Sequence, residues 1–111
     1  MRLITANYLL LPGYPLMKYG WVRVKEGRVV EVVDTGGIIS ERAGLEFYGG
    51  MLVAAEAIRI SDWKVGDPLL RRLSDFYATA PTHSDEGLGL IEGADLSAFR
   101  WLRQSRVIRL L

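Results

Sequence analysis

Hydrophobic and polar positions alternate most clearly over residues 17–35, MKYGWVRVKEGRVVEVVDT. Two β-branched and aromatic runs, Trp21-Val22-Arg23-Val24-Lys25 and Arg28-Val29-Val30-Glu31-Val32-Val33-Asp34, are separated only by Glu26-Gly27. This spacing predicts a β-hairpin whose tight turn puts Gly27 where a positive φ is needed. In the second arm Val29, Glu31 and Val33 alternate with Arg28, Val30, Val32 and Asp34, so the two faces differ in how apolar they are at the centre.

Upstream, residues 2–11 carry Leu3, Ile4, Tyr8 and a leucine run that stops at Pro12-Gly13, which predicts a first strand ending in a turn. Pro15 suits a connector or an edge, because it cannot donate to a central ladder. Downstream of Gly36-Gly37, the run Ser40-Glu41-Arg42-Ala43-Gly44 fits one helical turn closed by Gly44. Leu45-Glu46-Phe47-Tyr48 and Met51-Leu52-Val53 read as strand residues around Gly49-Gly50, which marks either a turn or a bulge. Residues 54–60, AAEAIRI, combine helix propensity with too little length to decide their state.

One helix is well signalled. Asp67 suits the N-cap and Pro68 the first helical position, where a missing N–H leaves no bond unmade. Leu69, Leu70, Leu73, Phe76 and Tyr77 then recur at spacings of three and four, while Arg71, Arg72, Ser74 and Asp75 turn away. Such a stripe over residues 67–79 must dock on something, most simply a sheet face. Residues 82–89 read as a polar loop, and the tail holds two short apolar runs, Leu90-Ile91 and residues 107–111.

Composition narrows the chemistry. At 111 residues, half of them hydrophobic and 24% charged, the chain has the size and make-up of one globular domain. Three Trp, five Tyr and three Phe are enough to fill one core. With no Cys, disulfides, a cysteine zinc site and a thiol nucleophile are excluded, and a reducing, cytoplasmic setting is the expectation. A net charge of +1 supplies no field that would draw the chain to nucleic acid or to an anionic membrane. No run approaches the roughly 18 apolar residues of a spanning helix.

Candidate chemical groups are sparse. His83 is the single histidine, and with Asp85 and Glu86 close behind it offers a weak metal-ligand set in THSDEG, a sequence equally suited to a solvated turn. Arg100, Arg103, Arg106 and Arg109 recur every three residues around Trp101. On a helix they would make a phosphate-binding stripe with a stacking ring; on strands they would scatter over both faces. Glu92, Asp95 and the low net charge weigh against nucleic-acid binding. Gly36-Gly37 and Gly49-Gly50 lack the Lys-Ser/Thr or the G-x-G-x-x-G context of a phosphate loop. One His makes a Ser-His-Asp arrangement a remote prospect.

The order of these pieces resembles a known family. ITANYLLLPGYPLMKYGWVRVKEGRVVEVVD followed by GLEFYGGMLV is similar to the N-terminal segment of amidohydrolase-superfamily enzymes, the cytosine-deaminase and chlorohydrolase-like metal-dependent hydrolases. There a strand, a G-x-V-x-V-x-x-G-R-I-x-x-V hairpin and a further strand build part of a small β-sandwich called the composite domain. GLIEGADLSAFRWLRQSRVIRLL looks like the C-terminal strands that complete it. The resemblance implies that residues 94–101 form a strand, 103–105 a turn, and 106–110 a final strand.

The catalytic middle of the family is missing. Where the family carries a metal-binding H-x-H, this chain reads Met51-Leu52-Val53-Ala54-Ala55-Glu56-Ala57-Ile58. Only residues 54–86 stand in place of a barrel of about 250 residues. No functional residue of the family carries over, so no catalytic residue, cofactor or metal is assigned.

The expectation is therefore a single mainly β (α+β) domain, a composite-type β-sandwich. Strands from 1–53 and 87–111 would be closed by a helical insert at 54–86 with its amphipathic helix at 67–79. The expected function is that of a non-catalytic, stand-alone homologue of the composite domain acting through protein contacts. Alternatives are an accessory subunit of a separately encoded amidohydrolase barrel or a degenerate metal-dependent hydrolase of C–N bonds other than peptide bonds, and, second, nucleic-acid binding through Arg100, Arg103, Arg106 and Arg109. The expected partner is a second copy in a homodimer, with Leu69, Leu73, Phe76, Tyr77 and Trp101 as the candidate interaction surface.

Overall fold

The β-branched runs pair as their alternation predicts. The computed structural model describes residues 1–39, 42–79 and 87–111. Within them are strands β1 (Arg2–Leu10), β2 (Met17–Lys18), β3 (Trp21–Lys25), β4 (Arg28–Val33) and β5 (Leu45–Ala54). A 3₁₀ turn at Ala55–Arg59, helix α1 (Leu69–Thr79), and strands β6 (Leu88–Glu92) and β7 (Arg106–Arg109) follow. Among the described residues the fold is mainly β with one α-helix.

All seven of these strands belong to one sheet of order β4-β3-β1-β5-β6-β7, with β2 paired to the end of β1. β1 and β5 run parallel; the other pairs are antiparallel. Both halves of the chain contribute, since β5 carries β1 on one side and β6 on the other.

The β3–β4 hairpin turns at Glu26-Gly27 with φ of 53° and 76°. Both residues are left-handed, as a two-residue type I′ turn requires. The strict alternation expected of β4 fails at one point. Val24 faces Val29 while Arg23 faces Glu31, so Val30 is an unopposed bulge residue and is 54% exposed. The extra residue lets Val29 and Val32 both reach the same core.

A second bulge sets the faces of the central strands. Ala6 pairs with Tyr48 and Tyr8 with Met51, so Asn7 alone opposes Gly49 and Gly50. The Asn7 Oδ1 accepts from Gly50 N–H at 2.9 Å, and the Asn7 carbonyl accepts from Tyr19 N–H at 3.1 Å. Gly49-Gly50 is thus the bulged extended segment and not a turn. The slip turns Ile4 and Ala6 before it, and Leu9 after it, to one face, and sends Leu10, Met51 and Val53 to the other.

The first face is closed by the sheet itself. Ile4, Leu9, Val22, Leu52, Leu88 and Leu90 form a cluster on which Val29 and Val32 of β4 and Ile108 of β7 also pack. Gly87 N–H donates to the Gly27 carbonyl at 3.2 Å, tying the hairpin turn to the start of β6. The sheet is rolled, with its two end strands packed on one core.

The second face is closed by α1. Leu69, Leu73 and Tyr77 are buried against Leu10, Met51, Val53 and Ile91. The helix starts one residue later than its signals predict, at Leu69, with the Pro68 carbonyl accepting from Arg72 N–H at 3.1 Å. The Asp67 carboxylate departs from its expected N-cap role: it accepts from Lys64 N–H at 2.9 Å and from the Arg72 guanidinium at 3.0 Å. The Leu69 N–H donates instead to the Phe99 carbonyl at 2.9 Å.

Residues 94–101 are not a strand. The Asp95 carboxylate accepts from Ser97 N–H, Ser97 hydroxyl and Ala98 N–H at 2.9, 2.7 and 3.1 Å, folding the chain into a turn closed by paired Asp95 and Arg100. An Asx turn of this kind competes with extended pairing, and Phe99 sits at a φ of 53° beyond it. These hydrogen bonds also hold the Asp95 carboxyl below its ordinary pKa. The strand expected after it is present as β7, though shorter.

One buried polar group joins the two layers. The Tyr77 hydroxyl donates to the Leu10 carbonyl at 2.7 Å and accepts from Ala54 N–H at 3.1 Å, linking α1 to β1 and β5. Burial raises its pKa, so the neutral phenol is the folded form. A raised folded-state pKa confers stability that is complete below tyrosine's ordinary value of about 10 and is lost as pH rises above it. Tyr77→Phe is expected to cost about 1–2 kcal/mol at neutral pH, through the orphaned Ala54 N–H, and to flatten the alkaline loss of stability. Urea melts of both proteins across that pH range check both effects.

Candidate functional site: an uncovered half of the outer sheet face

Sheet register brings one set of side chains together on the helix-bearing face but beyond the helix. Thr5 pairs with Trp21 on one side and Phe47 on the other, and Leu3 pairs with Arg23 and Leu45. All of these project to one face, because directly paired residues share a side. α1 covers this face only past the Asn7 bulge. Before it, Ile39 and Arg42, on the described parts of the connection from β4 to β5, line the face without closing it.

The result is a groove of about 560 Å³ lined by Tyr19, Trp21, Ile39, Arg42, Leu45 and Phe47. Its floor is firm. Trp21 is buried beneath two guanidinium groups, Arg42 at 4.9 Å and Arg23 at 5.9 Å from the ring centroid. Arg23 is itself held by Glu31 at 3.2 Å, and the Thr5 hydroxyl donates to the Gly20 carbonyl at 2.6 Å. Its rim is apolar and wet: Phe47 is 57% and Ile39 67% exposed, with neighbouring Ile38 at 69%.

Beside the groove lies an open strand edge. β6 pairs only with residues 51–54 of β5, so residues 45–49 have β1 on one side and no strand on the other among the described residues. On the opposite face of this segment Arg2 donates to Glu46 at 2.9 and 2.8 Å, and the Tyr48 hydroxyl donates to Glu46 at 3.2 Å. The Arg2 hydrogen bonds push the Glu46 carboxyl below its ordinary pKa. The edge therefore presents no net charge.

The residues singled out from sequence are placed differently. Leu69, Leu73 and Tyr77 are spent inside the domain, and half-buried Phe76 packs on the same cluster. Trp101 stacks on Trp63 with centroids 4.4 Å apart and planes within 6°. The arginines form no stripe. Arg106 pairs with Glu92 at 2.9 Å, Arg100 donates to the Gly66 carbonyl at 3.1 Å, and Arg109 Nε donates to the Leu111 carbonyl at 2.6 Å. Three residues apart on β7, Arg106 and Arg109 fall on opposite faces. His83, Asp85 and Glu86 lie outside the described residues, as do Ser40 and Glu41 of the expected helical turn. Among the described residues no three His, Cys, Asp or Glu gather closely enough to hold a metal ion.

The sequence reading places Phe47 in a strand but marks neither it nor Ile38 and Ile39 as site residues. A signal for the last two was present, since an Ile pair directly after Gly36-Gly37 is apolar in a place where loops are usually polar. The chain matches no protein-family model, no curated protein and no solved structure.

Proposed function

We propose that this protein is a non-catalytic contact domain of the amidohydrolase composite type, which works by associating with a second copy of itself through the Trp21–Phe47 face. The observation that carries this reading is the groove rim, where Phe47 and Ile39 remain more than half exposed over a rigid floor. Clustered apolar groups beside a structured groove mark association surfaces more often than isolated exposed side chains do. The composite-type part of the reading rests on the sequence resemblance; in the sheet, β1, β3 and β4 lie on one side of β5 and β6 and β7 on the other. The helix stripe plays no part in the contact, being already covered by the sheet.

Sedimentation equilibrium on the full chain tests this directly. A reversible dimer is expected, and Phe47→Glu is expected to weaken it by roughly 30-fold or more, the size of a central apolar anchor's contribution. Because Phe47 is mostly solvent-exposed, the substitution should leave the melting temperature of the dilute protein nearly unchanged. A chain that stays monomeric at high concentration would falsify the reading.

A further inference from the structure

We infer that two copies join edge to edge through residues 45–49 of β5, antiparallel and related by a two-fold axis at Phe47, so that the two sheets become one. This inference rests on the self-association proposed above and specifies its geometry.

Three features of the edge point to a second copy as its occupant. First, it is undefended. Edge strands usually carry Lys, Pro or an inward charge that repels another strand. Residues 45–49, Leu-Glu-Phe-Tyr-Gly, have neither Lys nor Pro, and their one charge is neutralised by Arg2.

Second, the segment is complementary to itself. Antiparallel pairing about Phe47 places Phe47 opposite Phe47 of the other copy, Leu45 opposite Gly49, and Glu46 opposite Tyr48. Each of these pairs is favourable or neutral. The two Phe rings meet on the groove face, Gly49 leaves room for the longer Leu45, and Glu46 faces the type of hydroxyl that already donates to it within the chain. No like charges are opposed, as a closed two-fold interface requires.

Third, the groove and the edge are continuous. A two-fold axis normal to the sheet keeps each copy's groove on the same side, so the Phe47 and Ile39 rims of both copies close over one another. Edge pairing and apolar burial then occur in a single event.

The chain has no native Cys, which makes disulfide trapping clean. Residues directly opposite in an antiparallel pair have Cα atoms about 4.5–5.5 Å apart, within the roughly 4.4–6.8 Å that a disulfide spans. Phe47→Cys should therefore cross-link to a covalent dimer on mild oxidation. Leu45→Cys should not, because its two copies lie four residues out of register, about 14 Å apart at 3.4 Å per residue. In the unsubstituted chain, amide exchange at residues 46–48 should slow as concentration rises.

A dimer by sedimentation in which Phe47→Cys fails to cross-link and these amides stay unprotected overturns edge pairing while leaving self-association intact. Cross-linking through Leu45→Cys instead overturns the register. A monomer at all concentrations overturns both this geometry and the function it rests on.

Discussion

Gly50→Ala is expected to destabilise the domain by about 3–5 kcal/mol, combining backbone strain of roughly 1–3 kcal/mol with a comparable overpacking cost. Gly50 has a φ of 136°, a conformation closed to residues with a side chain. An added Cβ would overlap the Ile91 carbonyl oxygen and press on Leu90 Cδ1 at 3.3 Å. Neither neighbour can yield cheaply. Ile91 pairs with Met51 on one side and Val107 on the other, so moving its carbonyl disturbs two ladders. Gly50 also donates to Asn7, the contact that fixes the bulge. Since the bulge decides which residues of β1 and β5 face each core, relieving the clash by a register slip would send Leu9 and Leu52 to the wrong side. Gly49→Ala is the matched control: its added Cβ meets nothing within 4 Å, and its φ is not positive. Thermal melts of the two variants should differ by well over 10 °C at about 4–8 °C per kcal/mol.

That contrast shows where local sequence information ends. The Glu26-Gly27 hairpin was legible because turn chemistry and alternating β-branched residues act over a few neighbours. α1 was legible for the same reason, its stripe repeating at three and four. Whether Gly49-Gly50 bends or bulges depends on Asn7, more than 40 residues away, and no local pattern contains that contact. At residues 94–101 the strand that the resemblance implies gives way to a local turn. Asp95 followed two residues later by Ser97 is an Asx-turn pattern, and its three hydrogen bonds prevail over extended pairing.

The candidate site was misplaced for a related reason. An amphipathic helix announces that its stripe will be buried and does not say by what. The rolled sheet encloses its own first core, which leaves α1 as the only helix in the described residues to cover the second face. The stripe is thus consumed internally. The surface left over is determined by the helix's reach, which stops near the Asn7 bulge. Phe47 is exposed because it lies on the far side of that bulge, although its own strand pattern looks the same as that of buried Met51 and Val53.

Leu73→Ala tests this division of labour. Leu73 is fully buried among Leu10, Met51, Val53 and Ile91, where truncation removes apolar contacts and leaves a cavity between helix and sheet. A cost of about 3 kcal/mol is expected, within the 2–5 kcal/mol range for buried leucines. The loss should not be spread evenly. α1 meets the domain through the second cluster and the Tyr77 hydrogen bonds, while the first cluster lies across the sheet and is sealed by β4, β7 and Leu88. Native-state hydrogen exchange should therefore show helix amides losing about two decades of protection, at 1.4 kcal/mol per decade. Amides of β1 and β3 should follow only as far as global stability falls. Arg71→Ala, on the exposed side of the same helix, should change neither. If Leu73→Ala lowered protection equally throughout, helix and sheet would form one cooperative unit, and the second core would be as essential to the rolled sheet as the first.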